Sequence, residues 1–189
     1  MIMLIYWKII RKFYEWAEFM NQQFIQRIMI DWSKTDEDSY LRKIEAISGL
    51  DSLEFAKPVT FFVGENGSGK STLLEAIAVS YGFNPEGGTR NYNFSTYDSH
   101  SGLYKAVTVS KGYRRMQGGY FLRAESFYNV ATQEENYADE KHPSERYHER
   151  SHGESFLAIA QSRLRPNGIY IFDEPEAALS PQRQMTLLM

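Results

Sequence analysis

The run Gly64-Glu65-Asn66-Gly67-Ser68-Gly69-Lys70-Ser71 constrains this 189-residue chain more than any other stretch, because it matches G-x-x-x-x-G-K-[ST], the Walker A pattern. Glycines let the backbone curl so that successive N–H groups point inward at phosphate oxygens. A helix starting at the end of such a loop adds the partial positive charge of its N-terminus. The flanks fit this reading. "PVTFFV", residues 58–63, is a short apolar, β-rich run expected to form a strand buried on both faces. Past the loop, Leu73, Leu74, Ile77, Ala78 and Tyr81 mark one face of a helix that Gly82 ends. Gly64 through Ser71, with Thr72, are therefore candidate nucleotide-binding residues, with ATP and Mg²⁺ as expected cofactors. Lys70 is expected to reach the β- and γ-phosphates, and the Ser71 hydroxyl to ligate Mg²⁺.

A second block, "IYIFDEP", reads as a strand over residues 169–172 ending in Asp173 and Glu174. Two carboxylates at the carboxyl edge of a sheet stand where α/β proteins hold their ligands. Asp173 is the second candidate metal residue, acting mostly through water, and Glu174 the candidate base that polarises an attacking water. "FIQRIMID", residues 24–31, reads as a first strand, and residues 84–96 as a loop. "LYKAVTVSKG" and "GGYFLRA" read as an antiparallel hairpin around a basic turn with Lys111, Arg114 and Arg115. Residues 125–150 are mostly polar and interrupted by Pro143, which suits a small helical lobe inserted in the domain. The resulting layout is α/β with a mainly parallel central sheet.

Composition sets outer bounds. A formal net charge of −3 gives no global attraction to nucleic acid, so any such contact needs a local basic face. The absence of cysteine excludes disulfides and thiolate metal sites and is compatible with a reducing cytoplasm. The apolar start "MIMLIYW" is far shorter than the ~20 residues a membrane span requires, and its basic residues follow rather than precede it. Residues 1–23 read as an N-terminal extension, with Lys8, Arg11, Lys12, Glu15 and Glu18 at the spacing of an amphipathic helix. His142, His148 and His152 read as surface groups rather than metal ligands.

"RSHGESFLAIAQSRLR", residues 150–165, opens on Ser151 and Glu154 at the S-x-x-E spacing of a capping box, followed by apolar residues at helical spacing. With the two blocks above, it makes the chain resemble an ABC-type ATPase head, a P-loop NTPase with a RecA-like core, over residues 24–189. Ser151-His152-Gly153-Glu154-Ser155 resembles the ABC signature, although the leading Leu and the final Gln of that motif are not matched. The resemblance implies a nucleotide-sandwich homodimer in which Ser151, Gly153 and Glu154 touch the γ-phosphate held by the other copy. It also implies that Glu125 stands where a Gln-bearing loop enters the helical lobe; Tyr40 and Arg42 are candidates for stacking on adenine.

"DEPEAALSP" resembles stand-alone, AAA-labelled and SMC/RecF-like ATPases more than transporter motors. It implies a Mg²⁺-dependent cytoplasmic ATPase, with a nucleotide-gated DNA-binding or repair-type ATPase and a transporter's ATP-binding subunit as alternatives. No heptad run is present for a coiled coil. The resemblance also implies a further strand and a switch histidine beyond "QMTLLM", so the chain reads as a shortened head.

Overall fold

The computed structural model describes residues 23–90, 100–136 and 151–187. The expected helix over the first 20 residues, Pro143, His142 and His148 lie outside the described residues. In chain order the elements are β1 (Ile25–Ile30), α1 (Glu45–Ser48), β2 (Ser52–Glu54), α2 (Lys70–Tyr81), β3 (Val107–Lys111), β4 (Gly118–Arg123), α3 (Phe127–Asn136), α4 (His152–Arg163), β5 (Gly168–Asp173), α5 (Pro175–Ala178) and α6 (Pro181–Leu187). Short 3₁₀ turns occupy Trp32–Lys34, Tyr40–Lys43 and Gly102–Lys105.

The α/β class holds, in two small sheets. β2, β1 and β3 form an antiparallel sheet in that order. β4 and β5 run parallel in strict register from Gly118 opposite Gly168 to Arg123 opposite Asp173. This pair is the part of the expected parallel sheet found among the described residues. Its apolar residues alternate between two cores, as strands covered on both faces require. Phe121, Ile169 and Ile171 join the core built around α2, β1 and β3. Tyr120 and Leu122 face the other way, onto Phe127, Val130, Phe156 and Ile159 of α3 and α4.

The expectation of helix 70–81 is met, because its face and its stop signal agree. Leu73, Ala76, Ile77 and Tyr81 are buried along α2. Gly82 then adopts a left-handed φ of 113° that lets its N–H reach back to the carbonyls of Ala78 and Val79. Two sequence expectations fail. β3 and β4 are not a hairpin, since β3 pairs with β1 and β4 with β5. β3 instead completes the sheet that caps α2, while β4 enters the layer shared by both cores.

Residues 58–63 form no strand either. Val59, Phe61 and Val63 are 66%, 74% and 88% exposed, and only Phe62 packs against the core. An apolar run is buried on both faces only when strands flank it, and none of the described strands pairs with it.

Phe121 sits at the centre of this arrangement with no exposed surface. Phe121→Ala is expected to lower the unfolding free energy by about 3–5 kcal/mol in a denaturant titration. Phe61→Ser, at an apolar but exposed position, is expected to stay within about 0.5 kcal/mol of the parent.

Candidate functional site

The phosphate loop is shaped by two left-handed glycines, Gly67 at φ 81° and Gly69 at φ 93°. Gly69 is doubly constrained. A Cβ there would meet Ile44 Cγ2 and Ile47 Cδ1, each at 2.6 Å, so the loop is pressed against α1 and its flank. Gly69 is also the N-cap of α2 and offers no side chain to its first N–H groups. A helix start left open in this way is suited to an anion. Lys70, the first residue of α2, folds back so that Nζ donates to the carbonyls of Gly64 at 2.9 Å and Glu65 at 2.8 Å. These are neutral acceptors, and the ammonium carries no buried counter-ion in them.

One residue on, the Ser71 hydroxyl comes close enough to Asp173, at the end of β5, to help hold its carboxyl down. The α2 N-terminus and the last rung of the parallel pair therefore meet, as the two motifs demanded. The Asp173 side chain is only 6% exposed. Burial, the largest influence, raises its carboxyl above the ordinary 3.8; the Ser71 hydroxyl and Arg123 act the other way, and Glu174 and Glu125 add to the rise.

Glu174 follows in a left-handed conformation, φ 51° and ψ 47°, at the start of α5. For a residue with a Cβ this costs about 1–2 kcal/mol. Its effect is that Asp173 is buried while Glu174 is exposed, so adjacent carboxylates serve different surroundings.

Sequence reasoning missed two residues here, Arg123 and Glu75. Arg123 donates from Nη1 to Glu75 Oε2 at 2.6 Å, pairs through Nη2 with Glu125, and turns Nε towards Asp173 Oδ2 at 3.5 Å. Three carboxylates thus surround one guanidinium, leaving an excess of negative charge beside Ser71. Hard oxygen donors with surplus negative charge fit Mg²⁺, which takes one or two protein ligands and completes its shell with water and phosphate. Among the described residues no group of three or more His, Asp or Glu is arranged to cage a metal alone.

The remaining candidates lie elsewhere. The capping box at α4 forms in its Glu half: Glu154 Oε2 accepts from the Ser151 N–H at 3.1 Å, while the Glu154 N–H donates to the Ser151 carbonyl rather than to its hydroxyl. Hydrogen bonds with Ser151 and then Arg183 hold the Glu154 carboxyl below its usual range. Arg183 of α6 also donates to Ser151 Oγ at 3.3 Å and to Glu154 Oε1 at 2.8 Å. Gly153 is buried, and a Cβ there would strike Arg183 Nη1 at 2.8 Å and the Ala178 carbonyl at 2.9 Å. Packing within the chain is thus enough to require glycine. His152 lies against the rings of Phe127 and Tyr128.

Arg42 is committed to the carbonyls of Trp32, Thr35 and Asp36, which makes it a loop brace; Tyr40 keeps an exposed ring. In the basic turn, Lys111 sits over the Tyr81 ring and Arg114 over Phe24. Among the described residues no helix is long and apolar enough to cross a membrane.

Two outcomes follow from these carboxylates. A carboxyl raised by folding opposes folding when ionised, and the penalty vanishes once pH falls below its unfolded value. Asp173→Asn is therefore expected to raise the thermal midpoint of the nucleotide-free protein at pH 7. That advantage should shrink as pH falls through the raised folded value and disappear below 3.8, measured by thermal unfolding across pH. Glu174→Gly removes the left-handed strain and is expected to stabilise the protein by about 1 kcal/mol in a denaturant titration.

No curated protein matches this chain, and no solved structure matches it. The family model described as AAA domain matches residues 40–162, well over half of the chain. The matched span carries the phosphate loop, α2, β4 and nearly all of α4, and ends before β5. The chain belongs to the AAA domain family of P-loop nucleotide-binding ATPases.

Proposed function

We propose that this protein is a Mg²⁺-dependent ATPase head of the ABC type, working as a dimer that sandwiches two nucleotides. The observation that carries the reading is the meeting of Ser71, at the start of the phosphate-loop helix, with the buried Asp173 at the end of β5. It brings two hard oxygen donors together beside the open N-terminus of α2. In this reading the loop N–H groups from Gly64 to Thr72 grip the phosphates. Lys70 exchanges the Gly64 and Glu65 carbonyls for phosphate oxygens, a stronger partner because both groups are charged.

Ser71 would ligate the divalent ion and Asp173 would orient it, mostly through water; bound there, the ion would neutralise charge on the phosphates. Glu174, exposed and set apart from Asp173 by its left-handed backbone, orients the attacking water and takes its proton. Ser151 and the N-terminal N–H groups of α4, with Gly153 and Glu154 beside them, face the γ-phosphate held by a second copy. That role agrees with an exposed hydroxyl beside the guanidinium of Arg183.

Phosphate release, nucleotide calorimetry and sedimentation test the reading together. Lys70→Ala is expected to weaken ATP binding by about 10–100-fold, the scale of one charged hydrogen bond. Glu174→Gln is expected to keep ATP binding, to lower turnover about 10²–10⁴-fold, and to sediment as a dimer with ATP. Binding indifferent to Lys70 overturns the nucleotide site. A monomer at saturating ATP overturns the sandwich alone.

A further inference from the structure

Outside the motifs, the most heavily engaged charged side chain beside the candidate metal site is Arg123. It stands on the last rung of the parallel pair, directly opposite Asp173. Its side chain is 11% exposed, and that of Glu75 only 7%. Nη1 is held by Glu75 at 2.6 Å and by the Pro85 carbonyl at 3.1 Å, and Nη2 by Glu125. Nε is buried without a hydrogen-bond partner among the described residues and faces Asp173 Oδ2 at 3.5 Å. That separation is an ion-pair distance too long for a hydrogen bond.

Glu75 is itself fixed, because its other oxygen accepts from the Ser101 N–H at 2.7 Å. On α2, Glu75 follows Ser71 by four residues, so the two share one helix face. The four side chains close a circuit. Ser71 approaches Asp173, Asp173 faces Arg123, Arg123 bonds Glu75, and one turn of α2 returns from Glu75 to Ser71.

We infer that Arg123, held by Glu75, is a positioning residue for Asp173, locking the phosphate-loop helix to the end of β5 so that Ser71 and Asp173 converge on one cation. The inference rests on the ATPase reading above. A buried ion pair alone adds little to stability, since desolvation offsets much of its attraction. Orienting a metal carboxylate gives this one a use. Groups that orient metal ligands typically affect metal affinity by about 10–100-fold when removed.

The test compares the affinity for a non-hydrolysable ATP analogue in Mg²⁺ with that in EDTA, by calorimetry, in the full chain. The gain in affinity due to Mg²⁺ is the readout, with thermal unfolding run alongside. In Arg123→Gln this gain is expected to fall about 10–100-fold while affinity in EDTA stays unchanged. Removing one member of a buried pair strands the other, so Arg123→Gln/Glu75→Gln is included to relieve the lone charge. It should fold and still lack the gain. Arg123→Lys keeps the charge without the planar fork, and should restore the melting temperature but not the gain.

A folded Arg123→Gln or double variant with the full Mg²⁺ gain overturns the inference. So does a parallel loss of affinity in Mg²⁺ and EDTA, or failure of all three variants to fold, either of which marks a purely structural role. A parent protein with no Mg²⁺ gain removes the ATPase reading as well. A normal parent with unaffected variants removes only the role of Arg123.

Discussion

The register of β4 against β5 decides where the charged groups of the site come to lie. Side chains on a strand alternate in direction, so Phe121 and Arg123 share a face, as do Ile171 and Asp173. Phe121 and Ile171 are anchored in the core around α2, and Arg123 and Asp173 follow onto that side at the strand ends. Ser71 and Glu75 of α2 meet them there. A slip of one residue in either strand would send its charged end to the opposite face, into the apolar core of α3 and α4. Burial of a few large side chains thus sets the aim of the carboxylate, and the polar circuit refines a position that packing has already selected.

Around this layer, the backbone does what side chains do not. Gly67 and Gly69 turn the loop back on itself, and the uncapped start of α2 leaves donors facing outward. Glu174 breaks the alternation of β5 by adopting a left-handed conformation directly after it. Continued strand geometry would simply place Glu174 on the opposite face of the sheet from Asp173. The turn instead carries it to the surface at the head of α5, beside a partner that stays buried. The strain falls where the chain needs two neighbouring carboxylates with different solvation, and backbone strain tends to be concentrated at such positions.

Local patterns were legible in the sequence and non-local ones were not. Helix 70–81 and the strand ending at Asp173 depend on neighbours within a few positions and form as read, and the capping box at Ser151 forms in its Glu154 half. The expected hairpin does not form, because closeness in sequence is not pairing and β3 pairs with β1, far upstream. "PVTFFV" failed for a related reason. Composition shows that a segment is fit for burial, but burial itself needs flanking strands supplied from elsewhere in the fold. Arg123 and Glu75 lie 48 positions apart and belong to no motif, so nothing short of the fold could have joined them. Arg42, one of two sequence candidates for stacking on adenine, donates to carbonyls of its own loop.

The Ser151 backbone and side chain both engage neighbours within the chain. Its N–H is satisfied by Glu154, so the helix start is tied down through the backbone. Its hydroxyl meets Arg183, a cation supplied by α6 rather than by the helix that Ser151 begins. An anion approaching this corner would therefore meet a hydroxyl, a guanidinium and the N-terminal dipole of a twelve-residue helix, without unmaking the cap. Gly153 keeps the corner tight, since any side chain there would displace Arg183 and the Ala178 carbonyl. The demand for glycine thus arises inside one chain, and so do the bonds of the Ser151 hydroxyl, which Arg183 holds at the corner.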